Sequence, residues 1–190
     1  MSRADLQNSR AELIPLQLEH FDQLLPVSQE VDLYRYGPSD VSSPQKLKSY
    51  IQNALDDRAQ GVALPYLIFD KRLEAVAGST RFGYIDQVNQ TVHIGWTWLG
   101  DRFRGSGLNA AIKALMLDYA YESLGMHKVC FRIDERNTRS RKAVEKLGAT
   151  LEGVLREELI VKGGYRRSTA CYGLLQHEWL NHKKKNRIDE

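Results

Sequence analysis

The stretch Trp96–Ala110, WTWLGDRFRGSGLNA, places two arginines, Arg102 and Arg104, and two glycines, Gly105 and Gly107, at the start of a helical pattern. A helix start leaves about four backbone N–H groups without intrahelical partners and carries the positive end of the helix dipole. Glycines let the backbone approach a ligand closely, and arginines add charge. Together they suit a phosphate or diphosphate. The same residues also spell a tight glycine turn with solvated arginines. Gly105, Gly107 and Ala110 nearly make a dinucleotide fingerprint. However, the loop follows antiparallel strands, and no acidic residue ends a second strand about twenty residues on, as that fingerprint requires. The lysine and Ser/Thr of a P-loop are absent too.

Among the other reactive side chains, His93 sits in a strand pattern and has a near-neutral unperturbed pKa, which suits a base or a relay to water. Its bland alternative is a half-buried histidine with a structural hydrogen bond. Glu157 and Glu158, in a later hairpin, are rival bases. Cys130 and Cys171 lie in apolar runs, outside any CxxC and without a His at ligand spacing. They read as reduced, buried packing residues, and no zinc site is supported. No cysteine–histidine or serine–histidine pair stands out as a nucleophile. Lys183–Lys185 with Arg187 could touch RNA, but a short terminal charge run is more simply solvated.

Elements must position these groups. Ala11–Leu18 reads as a strand, and Phe21, Leu24 and Leu25 follow at helical spacing. Ser43 caps and Pro44 opens a helix whose apolar stripe, Leu47, Ile51, Ala54 and Leu55, ends before Gly61. Val62–Asp70, Glu74–Asp86 and Thr91–Leu99 form an antiparallel meander, with Pro65 marking an edge or a bulge. Strict alternation puts Val92, Ile94, Trp96 and Trp98 on one face, so both tryptophans read as core rather than as an amine-binding wall. The clearest helix starts at Leu108 and ends at Gly125. A strand at His127–Ile133, a helix at Thr138–Leu147 closed by Gly148, and a hairpin of Thr150–Val161 and Tyr165–Leu175 follow. The crossover through Arg102–Met126 is long enough to join parallel strands, so the fold class is α/β with a mixed sheet.

The bounds agree. The chain has 190 residues, 42% apolar and 27% charged, which is one ordinary globular domain. Residues 1–9 read as a disordered N-terminus, 10–181 as a single domain and 182–190 as a charged tail. The longest stretch free of Asp, Glu, Lys and Arg is the 14 residues from Gln87 to Gly100, so no bilayer-spanning helix is expected. Met1–Arg10 lacks an apolar h-region, which predicts no secretory signal and a cytoplasmic protein. A net charge of +3 is too small for a duplex-binding footprint, making nucleic acid an unexpected partner, though it suits an anionic ligand.

Arg104-Gly105-Ser106-Gly107-Leu108-Asn109 resembles the R/Q-x-x-G-x-G/A acetyl-CoA loop of the GNAT N-acetyltransferases. The stretch from Asp134 to Ala149, with Asn137 and the closing Leu147-Gly148 in register, resembles that family's second CoA-contacting helix. His93-Ile94-Gly95-Trp96, Glu152–Arg156 and Gly163–Arg166 are similar to segments of its RimJ/RimL-type branch. The likeness runs from about Glu12 to Trp179. It departs from the family pattern at Asn109, where Gly or Ala is usual. It departs again at His93, where relatives often carry glutamate, and at Arg167, where they often carry aspartate. At Val144 many members place a tyrosine acid.

The resemblance implies a mixed, mostly antiparallel seven-stranded sheet with helices on both faces, splayed between strands 4 and 5. It implies acetyl-CoA as co-substrate, no metal, and direct attack by a primary amine. Arg104, Gly105, Ser106, Gly107, Leu108 and Asn109 would hold the pyrophosphate, and the backbone of Trp98 and Leu99 would pair with pantetheine and polarise the acetyl carbonyl. Asn137 and Ser140 would lie near pantetheine and sulfur, with Ser140 a donor to the leaving sulfur. Asn137 as a helix cap alone is the alternative. His93 would be the base. The acceptor implied is a protein N-terminal amine, such as a ribosomal protein's. A small amine (polyamine or aminoglycoside), or CoA binding without turnover, stands beside it. A homodimer is compatible with the branch.

Overall fold

A computed structural model describes residues 6–30, 33, 36–37 and 39–186. Eight strands form one sheet in the order β1-β2-β3-β4-β5-β6-β8-β7. The strands are β1 (Leu6–Gln7), β2 (Ala11–Pro15), β3 (Leu64–Asp70), β4 (Ala75–Asp86), β5 (Thr91–Leu99), β6 (Lys128–Asp134), β7 (Thr150–Val161) and β8 (Tyr165–Leu175). The helices are α1 (Phe21–Ser28), α2 (Pro44–Ala59), α3 (Leu108–Asp118, continued by a π-helical turn over Tyr119–Ser123), α4 (Thr138–Glu145) and α5 (Gln176–Asn186).

The sheet exceeds the expected seven strands because β1 lies in the stretch read as disordered. Leu6 and Gln7 pair with Leu13 and Glu12, and the Asn8 side chain accepts from the Arg10 and Ala11 amides to make the turn. Residues 1–5 fall outside the described part. The C-terminal reading also changes. The chain is helical through Asn186, with Trp179 buried and its indole N–H donated to Asp118 at 2.8 Å. Lys183, read as part of a loose tail, donates to the same carboxylate at 2.6 Å. Arg187 lies outside the described residues.

Two apolar layers cover the sheet. On one face α3, α4 and α5 pack with Ile112, Met116, Val129, Phe131, Val144 and Trp179. On the other α1 and α2 pack with Leu24, Leu47, Ile51 and Trp98. Ser43 caps α2, accepting from the Lys46 amide at 3.3 Å, and Pro44 opens it. Pro65 lies in an interior strand, not at an edge. The Leu16 amide still donates to the Pro65 carbonyl at 2.9 Å, and the Leu16 carbonyl, which proline cannot serve, accepts from the Arg58 guanidinium at 2.7 Å.

The meander of β3, β4 and β5 is antiparallel throughout. β5 and β6 are parallel and pair over only three residues, Thr91–His93 with Lys128–Cys130. Beyond His93 the two strands part, while β6 stays paired to β8 up to Asp134. β5 therefore leaves residues 94–99 without a partner on the β6 side. The gap opens toward the carboxyl ends of both strands, where α3 and α4 begin. No helix among the described residues is long and apolar enough to cross a membrane.

Candidate active site

The loop after β5 makes a short 3-10 turn, Asp101–Phe103, then enters α3 through Gly105 (φ +71°) and Gly107 (φ +84°). Both are left-handed positions that favour glycine. A Cβ placed on either would meet nothing within 4 Å, so this backbone faces open space. The first intrahelical bond is Ala111 N–H to the Gly107 carbonyl. The Leu108 amide has only a long contact to Ser106 Oγ, 3.4 Å, and among the described residues nothing accepts from the amides of Gly105, Gly107, Asn109 or Ala110. Unpaired amides, an open approach and the positive helix end suit the diphosphate of CoA.

Arg104 is held from below. Its Nε donates to the Leu99 carbonyl at 3.0 Å and its guanidinium pairs with Asp101 at 2.5 Å. A second arginine joins the loop from a segment that offered no signal in sequence. Arg10 donates to Ser106 Oγ at 3.2 Å and is ion-paired to the buried Asp70. Burial alone would push the Asp70 carboxyl up; hydrogen bonds from Arg10 and the amides of Leu73 and Arg72 outweigh it and hold the pKa below the usual value. Local pattern could not show Arg10, because its partners are 60 and 96 residues away.

Trp98 and Leu99 are buried at the open end of β5, opposite Ser79 and Gly78. A Cβ on Gly78 would come within 1.9 Å of the Trp98 carbonyl, so glycine allows the close approach that seats this stretch. Across the gap, Asn137 caps α4, its Oδ1 accepting from the Ser140 amide at 3.1 Å. Capping is therefore one role of Asn137, and Ser140 stands half-buried in the first turn of α4. Val144 is buried in the core and offers no proton.

The expected shared face of Val92, Ile94, Trp96 and Trp98 is not what forms. The ladder slips between Ser79–Trp98 and Arg81–Gly95, and Trp96 takes φ +50°. This bulge adds a residue to β5, and every side chain beyond it changes face. Val92 and Ile94 stay with α3, while Trp96 and Trp98 join the α1/α2 side. There Trp96 is only half-buried. The Arg81 guanidinium lies 4.4 Å from its ring and Tyr84 packs at 5.5 Å. Tyr84, at φ +48° in a second bulge, also meets the His93 ring edge-on at 5.0 Å. Trp96 is thus part of an aromatic wall beside His93. Tyr84 and Arg81, which sequence reasoning missed, complete it. No pattern signal exists for a tyrosine or tryptophan at positive φ.

His93 belongs to the last β5–β6 pair, at the apex of the gap, and borders a groove of about 650 Å³ with Tyr84, Thr91 and Val62. Burial lowers its pKa, and the positive charges of Arg132 and Lys128 lower it further, so the ring is neutral near pH 7. Glu158 is ion-paired to Arg132, and Glu157 occupies a bulge at φ +51°. Cys130 and Cys171 are only partly buried, in contrast to the packing role read for them. They lie on the face of β6 and β8 that neither apolar layer covers. Burial raises the Cys130 thiol pKa.

Residues 10–150 match the acetyltransferase (GNAT) domain family. Among curated proteins, the chain is 32% identical over 117 residues to "Putative ribosomal N-acetyltransferase YdaF" of Bacillus subtilis, a match spanning 62% of this chain and 61% of that protein. It is 27% identical to the N-acetyltransferase p20 of Bacillus licheniformis, described as uncharacterized, over 83% of this chain and 89% of that one. It is 28% identical to spermidine N(1)-acetyltransferase of Escherichia coli over 45% and 46%. Among solved structures, an acetyltransferase from T. thermophilus, itself assigned only provisionally, superposes with a TM-score of 0.84 at 26% identity, covering 100% and 98% of the two chains. Mycobacterium smegmatis RimJ, solved with CoA-disulfide, gives a TM-score of 0.78 at 20% identity over 88% and 83%, a likeness of fold.

Proposed function

Because the chain belongs to the GNAT acetyltransferase family, we propose that it moves an acetyl group from acetyl-CoA to a primary amine by direct attack. The acceptor in this reading is a protein N-terminal α-amine of the ribosomal-protein type, in a cytoplasmic enzyme of the RimJ/RimL branch. The observation that carries the reading is the parting of β5 from β6 at the mouth of α3, where unpaired amides meet an unpaired strand edge. The name of the B. subtilis relative supports the branch and the acceptor class.

In this mechanism the CoA diphosphate lies on the amides of Gly105, Gly107, Asn109 and Ala110, with Arg104 and Arg10 adding charge. Pantetheine follows the free edge of β5, and a backbone N–H near Trp98 and Leu99 polarises the thioester carbonyl. One such donor is worth about 2.7–4 kcal/mol of barrier in measured cases. The amine enters from the aromatic face. Neutral His93 takes its proton directly or through water. Nitrogen attacks the carbonyl carbon, the C–S bond breaks, and the sulfur leaves toward the α3/α4 side, where Ser140 and Asn137 lie.

A second reading, acetylation of a polyamine, is favoured by the spermidine-acetylating relative and by the aromatic wall of Trp96 and Tyr84, since cations bind aromatic faces. Release of CoA thiol tests both. Turnover with peptides bearing ribosomal-protein N-termini and none with spermidine supports the first reading, and the reverse supports the second. Absence of thiol release with either class, despite acetyl-CoA binding, would leave a CoA-binding protein without turnover.

A further inference from the structure

Lys113 projects from α3 into the layer between helix and sheet and is 6% exposed. Among the described residues no carboxylate pairs with it, and its hydrogen bond is to Thr97 Oγ1 at 2.8 Å. A site needing only volume would be served by leucine or methionine, because an ammonium without a counter-ion is costly to bury. Thr97 lies on β5 four residues past the last pair with β6, half-buried at the edge of the gap, next to Trp98. Its oxygen is 2.7 Å from Thr80 Oγ1 and 3.3 Å from the Gly95 carbonyl.

Hydrogen counting gives the lysine end of this cluster a direction. The lysine donates and accepts nothing while protonated. Thr97 Oγ1 therefore accepts from Lys113. Either hydroxyl of the Thr80–Thr97 pair can donate, and Thr80 also lies 3.5 Å from Met116 Sδ, so the Thr97 hydrogen goes to Thr80 or to the long contact with Gly95. That hydrogen is available to a stronger acceptor in the gap. The reaction creates one there, the sulfur, and Val144 cannot supply its proton.

We propose that Lys113 and Thr97 form a proton relay to the leaving sulfur of the co-substrate. The inference rests on the transferase reading above. As the C–N bond forms and the C–S bond breaks, the sulfur takes the Thr97 hydroxyl proton and Thr97 takes one from the Lys113 ammonium. Lys113 is left as an amine. The proton lost by the acceptor nitrogen passes through His93 to solvent, and solvent later recharges Lys113. Thr97 is the catalytic residue, and Lys113 is a positioning residue that acts through it.

Burial brings the Lys113 pKa down to about 7, so the ammonium and amine are both populated near neutrality, as proton donation requires. The groups around it do not compete. Thr80 on β4 and Thr97 on β5 are uncharged. On α3 and its extension, Asp118 is held by Lys183 and Trp179, and Tyr119 packs on Phe82. At β2 and β3, Arg10 and Asp70 are paired with each other, and burial keeps Tyr66 protonated.

The test compares wild type, Lys113→Met, Thr97→Val and Thr97→Ser. Methionine matches the lysine in length and carries no charge, and a melting curve confirms that each variant folds. The first measurement needs no acceptor: CoA in its thiol form is bound and its thiolate absorbance followed against pH. The relay lowers the bound thiol pKa in wild type and Thr97→Ser, and returns it toward the free value in Lys113→Met and Thr97→Val. The second is turnover. Lys113→Met lowers kcat by about 100-fold, in the range of general acid catalysis. The KM for acetyl-CoA stays within about threefold, and the alkaline limb near neutral pH disappears.

Identical thiol titrations in wild type and Lys113→Met would overturn the relay, as would full kcat with an intact limb in Thr97→Val. A Lys113-dependent thiol pKa without turnover on any amine would uphold the relay's contact with sulfur and refute the transferase reading. Failure of wild type to bind CoA would overturn both.

Discussion

Arg104 offers a two-sided test of the diphosphate site, because the structure shows what it gives up on binding. Its guanidinium is paired with Asp101 at 2.5 Å, and their side chains are 22% and 65% exposed. A charge-assisted hydrogen bond to phosphate contributes about 1.5–3 kcal/mol. An ion pair this exposed is worth about 0–1 kcal/mol. The difference, about 0.5–3 kcal/mol, predicts that Arg104→Gln raises the Kd for acetyl-CoA about 2- to 140-fold, at about 1.4 kcal/mol per tenfold. Asp101→Asn works oppositely: it frees the guanidinium and removes a negative charge beside the diphosphate. Affinity should then rise about 2- to 5-fold, a gain of about 0.5–1 kcal/mol. Both effects should shrink with salt, since the site is solvent-facing. Calorimetric titration at two ionic strengths measures them. The assignment fails if Arg104→Gln binds within twofold of wild type, or if Asp101→Asn weakens binding as much as Arg104→Gln does. The latter would mean that the pair only holds the loop in shape.

Three further outcomes are expected. In the pH profile of kcat/KM, activity should fall toward acid through a pKa below the ordinary histidine value of about 6.5, because burial lowers that of His93; His93→Gln should abolish that limb, and a profile unchanged in shape would exclude His93 as base. Lys113→Met should stabilise the protein, because its folded pKa of about 7 lies below the unfolded value. The penalty it removes is absent above about pH 10.5, grows as pH falls toward 7 and is constant below, where it amounts to a few kcal/mol; equal gains in Tm at pH 6 and pH 10.5 would refute the burial. Gly78→Ala should cost about 3 kcal/mol or more in denaturant unfolding, because its Cβ would overlap the Trp98 carbonyl; acetyl-CoA binding should weaken with it, and a wild-type midpoint would show that the strands tolerate the overlap.

The strands of the meander, the helix starts at Pro44 and Leu108, the crossover and the glycine loop were legible in the residues alone. These depend on short-range facts: period, capping chemistry and the freedom of glycine at positive φ. The sequence also located Asn137 and Ser140 at a second helix start. What it could not carry depends on partners far along the chain. A bulge flips a strand's faces according to how the neighbouring strand pairs, so the alternation of Val92 to Trp98 pointed the tryptophans the wrong way. Arg10 reaches Ser106, and Lys113 reaches Thr97, only after β2 and α3 have docked on the sheet. Trp179 and Lys183 close on Asp118 for the same reason, turning an apparent tail into a helix. Tertiary structure alone decided which charges are buried and which donors face the gap, because burial and hydrogen-bond direction are properties of the packed sheet.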